Sequence, residues 1–261
     1  GVGQKSAGTR DQDFLEHMFV ATNHQYMMFF TQKGKCFWMR VYEIPEGSKT
    51  SKGRAIQNLI NIENDDKVKA FICTQDLKNE EYINSHYVIM ATKQGIVKKT
   101  LLEQYSRPRQ NGIAAITIRE DDELLEAKLT NGNSQILVAV KSGKLVRFEE
   151  GKTRPMGRNA SGVRGITLAD DKDEVIGMVS VNDMTSEILV VSEIEQKMIP
   201  SFNNSRLKVV KMDTLSKTAS TATFASRFCS FKGIPSRSNV SRSSGSTSSI
   251  VLSFCFSFGD E

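Results

Sequence analysis

The chain has 261 residues, of which 39% are hydrophobic, and a formal net charge of +5; this is enough apolar content for a packed core, and nothing in it forces disorder throughout. No apolar run approaches the roughly 20 residues that span a bilayer, and the first residues lack the layout of a secretory signal, so a cytoplasmic protein without a membrane partner is expected. Residues 194–261 hold 9 Lys and Arg against 4 Asp and Glu, leaving 26 of each sign in 1–193, so the basic total is no argument for nucleic acid over the longer part.

In chain order, runs rich in Val, Ile, Phe, Tyr and Met, bounded by turn residues, predict strands at His17–Thr22, Tyr26–Thr31 and Lys35–Val41, then a Gly-led strand at Ala55–Ile62. The order returns as Val68–Cys73, Tyr87–Thr92, Ile96–Thr100 and Ile113–Ile118. It returns again as Leu124–Leu129, Gln135–Val140, Lys144–Phe148 and Val163–Leu168. Gly34, Gly95 and Gly143 mark the hairpin turns, where a tight turn needs positive φ. Self-similarity at this period implies an array of four-stranded blades, each burying its apolar faces against its neighbours.

A further unit opens with Val175–Val181 and Glu187–Val191, but the turn glycine due near position 195 is replaced by Glu193-Ile194-Glu195-Gln196. Beyond it the composition turns Ser-rich, as in Ser236–Ser249. Residues 194–261 therefore read either as a disordered tail or as a shifted reading frame; loss of the period in mid-hairpin favours the second. The expected fold is all-β: about three four-stranded blades, an incomplete fourth and an irregular C-terminal tail.

Charge is sorted within the units. Basic residues gather around the second hairpin strand and the loop after it: Lys33, Lys35, Arg40, Lys49, Lys52 and Arg54, then Lys93, Lys98, Lys99, Arg107 and Arg109. The third unit has Lys141, Lys144, Arg147, Lys152, Arg154, Arg158 and Arg164. Acidic residues gather between units, at Glu63, Asp65 and Asp66, at Glu120–Glu123, and at Asp170, Asp171, Asp173 and Glu174. Packed in a ring, the units would align the basic parts into one stripe, with the acidic turns elsewhere. The competing reading is a solvated blade surface, the natural reading for Lys69, Lys78, Lys128 and Lys172.

The stretch DQDFLEHMFVATNHQYMMFFTQKGKCFWMRVYEIPEGSKTSKGRAIQNL and its later copies, including PMGRNASGVRGI, resemble the C-terminal domain of DNA gyrase A over roughly residues 9–193. The resemblance implies a β-pinwheel over 11–193 that binds and bends double-stranded DNA at its basic perimeter. The candidate phosphate contacts are then the basic residues named above other than Lys69, Lys78, Lys93, Lys128, Lys141 and Lys172. It also implies partners in the rest of gyrase A and in gyrase B, within an A2B2 enzyme of the bacterial cytoplasm and nucleoid that uses ATP and Mg2+. Residues 1–10 would be a linker after a gyrase box that is missing or degraded. The corresponding C-terminal domain of topoisomerase IV, and a propeller used only for protein interaction, are the alternatives.

No catalytic constellation is visible. His17, His24 and His86 are too scattered for metal spacing, the carboxylate clusters read as solvated turns, and no phosphate-binding loop or nucleophile motif occurs. Cys36, Cys73, Cys229 and Cys255 sit singly in apolar runs with no paired spacing and read as buried free thiols. No metal and no cofactor are expected to bind this chain itself.

Overall fold

Each hairpin closes where its glycine predicts. Gly34, Gly95 and Gly143 adopt φ of +81°, +85° and +91°, and their N–H groups donate to Thr31, Thr92 and Val140 at 2.9, 3.1 and 3.0 Å. The computed structural model describes residues 14–47, 55–182, 187–193, 205–211, 222–223, 228–234 and 249–256, with side chains over 20–47 and 55–182. Lys49, Lys52, Arg54, the linker expected at 1–10 and the Ser-rich stretch 236–248 lie outside the described residues.

The strands are β1 (Phe14–Thr22), β2 (Tyr26–Thr31), β3 (Lys35–Arg40), β4 (Val68–Thr74), β5 (Tyr87–Thr92), β6 (Ile96–Leu101), β7 (Ile113–Ala114), β8 (Leu124–Thr130) and β9 (Gln135–Val140). They continue as β10 (Lys144–Glu149), β11 (Val163–Arg164), β12 (Val175–Val181), β13 (Glu187–Glu193), β14 (Ser205–Lys211), β15 (Ala222–Thr223), β16 (Phe228–Ile234) and β17 (Ser249–Phe256). Three antiparallel four-stranded sheets result, in the orders β4-β2-β3-β7, β11-β6-β5-β8 and β12-β9-β10-β15. A three-stranded sheet, β14-β13-β16, follows, and β1 pairs with β17.

The blades are therefore not the sequence units. Each central hairpin takes its third strand from the run after it, and the first two take their fourth from the loop of the next unit: Ile113 pairs with Cys36 and Val163 with Val97. Val175–Val181, expected to open a fourth blade, instead completes the third against β9. The Gly-led strands are also shorter than expected, two residues each at Ile113–Ala114 and Val163–Arg164. Ala55–Ile62 is no strand but a 3-10 turn at Ile56–Asn58. The later loop strands form on the hairpin of the preceding unit, and no such hairpin precedes the first unit among the described residues.

Exchange of strands puts apolar side chains on both faces of the central strands, and β2, β5 and β9 are buried over five consecutive residues each. Met28 and Phe30 meet Val88, Met90 and Leu124 in the core between the first and second blades. Ile89 and Ala91 meet Ile136, Val138 and Met178 between the second and third. Met27 and Phe29 turn the other way, toward Ala21, Ile56 and Ile60. This alternation is the period of two expected of a strand, here with both sides dry.

The seams are sewn at the turns. Gly34 O accepts from Ala115 N and Ile116 N at 2.8 and 3.2 Å, and Gly95 O accepts from Gly165 N and Ile166 N at 2.9 and 3.3 Å. Leu124 N donates to Gln32 O, and Val175 N to Lys93 O. Each turn is also capped by an aspartate: Lys33 N donates to Asp66, Gln94 N to Asp122 and Ser142 N to Asp173, at 3.1, 2.9 and 2.9 Å. The acidic runs were expected to be solvated, yet Asp66 and Asp173 are buried, because short carboxylates here accept the N–H groups that the turns leave unpaired.

Candidate nucleic-acid interface

The chemistry of the candidate residues is set by which end of each hairpin they occupy. At the turn end, basic side chains face the acidic runs rather than standing apart from them. Lys33 pairs with Glu63 and Asp65, and Lys35 with Glu63. Lys93 bridges Glu123 at 3.2 Å and Glu174 at 3.0 Å, and Lys141 also meets Glu174 at 3.2 Å. A hydrogen bond to Asp65 raises the Lys33 ammonium, and one from Lys35 lowers the Glu63 carboxyl. All of these are at least partly open to solvent, so this rim is of mixed charge, which corrects the expectation that acidic and basic parts lie separately.

Within the strands, three candidates are buried. Lys98 is buried, and its Nζ donates to the carbonyls of Ala115 at 2.7 Å and Arg158 at 2.5 Å. Burial pushes its ammonium down to about 8, and the Arg158 charge adds to the effect. Lys99 is buried against Glu150 at 3.1 Å, its Nζ 4.1 Å above the Tyr87 ring. Arg147 is buried, with Nε donating to Gln135 at 3.1 Å. Lys98 and Lys99 face the two seams of the second blade, so neither can meet a phosphate without leaving its partners. Arg40 is half-buried, its guanidinium 4.4 Å from the Tyr26 centroid and 5.8 Å from that of exposed Tyr42.

The open basic residues sit on the loops and short loop strands. Lys152, Arg154 and Arg164 are exposed, and Lys144 is half-exposed on β10. Arg107 and Arg109, from the loop after β6, line one open depression of about 310 Å³ together with Arg158 from the next unit's loop. Glu103, Gln104 and Ile113 complete its walls. Gln104 Oε1 accepts the Arg158 N–H at 3.0 Å, which orients that peptide beside the two neighbouring arginines. Among the described residues no ion pair joins these three guanidinium groups to a carboxylate. The depression is thus a basic surface built by two loops, of the kind that guanidinium groups offer to an anion.

Among the described residues, no group of three or more His, Cys, Asp or Glu is placed to hold a metal ion, and no helix is long and apolar enough to cross a membrane. His86 stacks 4.3 Å from the Tyr82 ring at the end of the short helix α1 (Glu80–Ser85), which Asn79 caps. Cys36 is a free, buried thiol pushed well up by that burial; Cys73 is free and half-buried, also pushed up by burial, to about 11.

The family model for the DNA gyrase C-terminal domain, beta-propeller, matches residues 25–75, 86–131 and 135–182, more than half of the chain. The chain belongs to this family. The three matched segments each begin at or just before a central hairpin, so the DNA gyrase C-terminal domain repeat coincides with the period read from the turn glycines. DNA gyrase A of Staphylococcus epidermidis is 42% identical over 194 residues, which cover 74% of this chain and 21% of that protein. The chain thus spans about a fifth of the length of the curated relatives it matches. The C-terminal domain of DNA topoisomerase IV superposes with a TM-score of 0.67 at 21% identity, over 82% of this chain and 64% of that one. The DNA gyrase A C-terminal domain gives 0.54, also at 21% identity, over 66% and 53%. These two structures agree with the pinwheel fold of the family.

Several functional features were not read from the sequence. The pairing of Arg158 with Arg107 and Arg109 depends on strand exchange between units, which no local pattern announces. The capping aspartates did leave a signal: Asp66, Asp122 and Asp173 each stand two residues before an outer strand. Glu150 left one too, as a charge where Leu102 stands at the same distance from its turn glycine.

Proposed function

We propose that the chain binds and bends double-stranded DNA as the wrapping part of a DNA gyrase A, through phosphate contacts from its open loop arginines. The observation that carries this reading is the convergence of Arg107, Arg109 and Arg158, contributed by successive units, on one depression without carboxylate partners among the described residues. Cations repeated from blade to blade can follow a curved sugar-phosphate backbone without reading bases. Lys144, Lys152, Arg154 and Arg164 extend the contact set on the third unit. Bending a 20–30 bp site by 40–90° costs on the order of 1–6 kcal/mol, so several contacts must act together. The parent would be an A2B2 enzyme of the bacterial cytoplasm and nucleoid, with DNA cleavage elsewhere in gyrase A and ATP and Mg2+ handled by the holoenzyme.

The test is a gel shift of the full chain on a random-sequence duplex over a series of KCl concentrations. Each phosphate contact should add about 0.9 to the slope of log K against log salt. Replacing Arg107, Arg109 and Arg158 with Glu should abolish retention. Binding that is indifferent to salt, or unaffected by those substitutions, overturns the proposal in favour of a protein interaction surface.

A further inference from the structure

Lys98 places a charge where the repeat otherwise places an apolar side chain. At the same distance from their turn glycines the first and third units carry Phe37 and Val146. Taking an ammonium out of water costs several kcal/mol unless its donors are satisfied. Lys98 has two such acceptors, both backbone carbonyls, and among the described residues no carboxylate joins them.

The two carbonyls belong to different loops. Ala115 ends the loop that carries Arg107 and Arg109, and its N–H is seated on Gly34 of the first blade. Arg158 lies in the next unit's loop, which is seated on the second blade through Met156 N to Lys99 O at 2.8 Å and through β11 on β6. Tyr105 Oη shares the Ala115 carbonyl at 3.2 Å, and Gln104 holds the Arg158 N–H, so the N–H and the carbonyl of Arg158 are both engaged. Thr117 Oγ1 adds a second tie between the loops, donating to Asn159 O at 2.8 Å.

We propose that Lys98 is a positioning residue for DNA binding: a buried ammonium that pins the Arg107–Arg109 loop of one unit against the Arg158 loop of the next, so that three guanidinium groups meet the phosphate backbone as a preformed set. This rests on the DNA-binding reading above. Loops fixed in advance lose less conformational freedom on binding than loops ordered by the ligand, so the pin acts on affinity without touching DNA.

The test is a double-mutant cycle on DNA affinity in the full chain, combining Lys98→Met with Arg158→Ala, and using the random-sequence duplex at one fixed salt concentration. Arg158→Ala alone is expected to weaken binding about tenfold. In the Lys98→Met background the same change is expected to weaken it less than about threefold, because an unpinned arginine contributes little. A role in the core alone predicts two additive losses, and additivity overturns the proposal. Where Lys98→Met does not fold, Lys98→Gln, which keeps neutral donors in the pocket, replaces it in the cycle; if neither folds, Lys98 belongs to the core alone and the proposal fails. Should Arg107→Ala, Arg109→Ala and Arg158→Ala all bind as the unaltered chain does, it is the DNA-binding reading that fails. Losses from those three with an additive cycle leave that reading standing and remove only the pin.

Discussion

Lys99 and Glu150 form an ion pair across the seam of the second and third blades, 3.1 Å apart, with side-chain exposures of 5% and 0%. Glu150 also accepts from Thr130 Oγ1 at 2.7 Å and Ser134 N at 3.2 Å. Its counterpart in the second unit is Leu102, so the fold accepts an apolar side chain there. Removing one partner of a buried pair leaves an uncompensated charge and costs about 3–5 kcal/mol, whereas removing both in favour of packed apolar groups is near neutral. Lys99→Met and Glu150→Leu are each expected to lose that much in urea denaturation, and the double variant to recover most of it. Additive losses would show that the two residues act independently.

Asp173 ties one turn to acid stability. Burial would raise its carboxyl, but hydrogen bonds from the Ser142 side chain and from the N–H groups of Ser142, Ala169 and Glu174 outweigh this and hold it below the usual 3.8. A carboxylate whose folded value is depressed contributes stability above its unfolded value and loses it as pH falls through the folded one. Thermal melting of the unaltered chain should therefore drop more steeply below pH 3.8 than that of Asp173→Asn. At neutral pH, Asp173→Ala is expected to cost about 2 kcal/mol, since it strands several N–H groups at once. Parallel acid limbs for both chains would contradict the capping role.

The turn glycines and the loop glycine Gly157 should differ in their response to alanine. A Cβ on Gly95 would stand 2.7 Å from Ile166 O at φ +85°, while one on Gly157 would meet nothing within 4 Å. Gly95→Ala is expected to lose more than about 2 kcal/mol through strain and a broken seam. Gly157→Ala should stay within about 0.5 kcal/mol of the unaltered chain. Equal melting temperatures for the two variants would mean that Ile166 does not clamp the turn.

What could be read in the sequence was local. The hairpins at Gly34, Gly95 and Gly143 follow from turn chemistry and period, and Tyr87–Thr92 and Gln135–Val140 match the expected bounds. Blade membership was not legible, because Ile113–Ala114 and Val163–Arg164 carry no mark of which hairpin they pair with. The same exchange hid the fate of Lys98 and Lys99. A lysine pair on a strand reads as one open and one inward residue, whereas here each points into a different seam. Arg107, Arg109, Arg154 and Arg164 kept the exposure expected of them because loops around Pro and Gly hold few apolar anchors.

The mixed-charge rim yields the last prediction. Lys35 is paired with Glu63, which also meets Lys33, and both lysines sit at the turn end of the first hairpin. If the DNA path passes this rim, Glu63 competes with phosphate for Lys35, and neutralising it should release a contact. Glu63→Gln is expected to tighten DNA binding and to steepen the salt slope by about 0.9, while Glu63→Gln with Asp65→Asn, which also frees Lys33, should steepen it by about twice that. Exposed pairs contribute little to folding, so the melting temperature should hardly move. Tighter binding at every salt concentration with an unchanged slope would mean relief of general repulsion, and unchanged binding would place the first hairpin's turn off the DNA path. The cations outside that rim would then carry the contact, and the depression of Arg107, Arg109 and Arg158, rather than the turn rim, would mark the proposed track of the duplex.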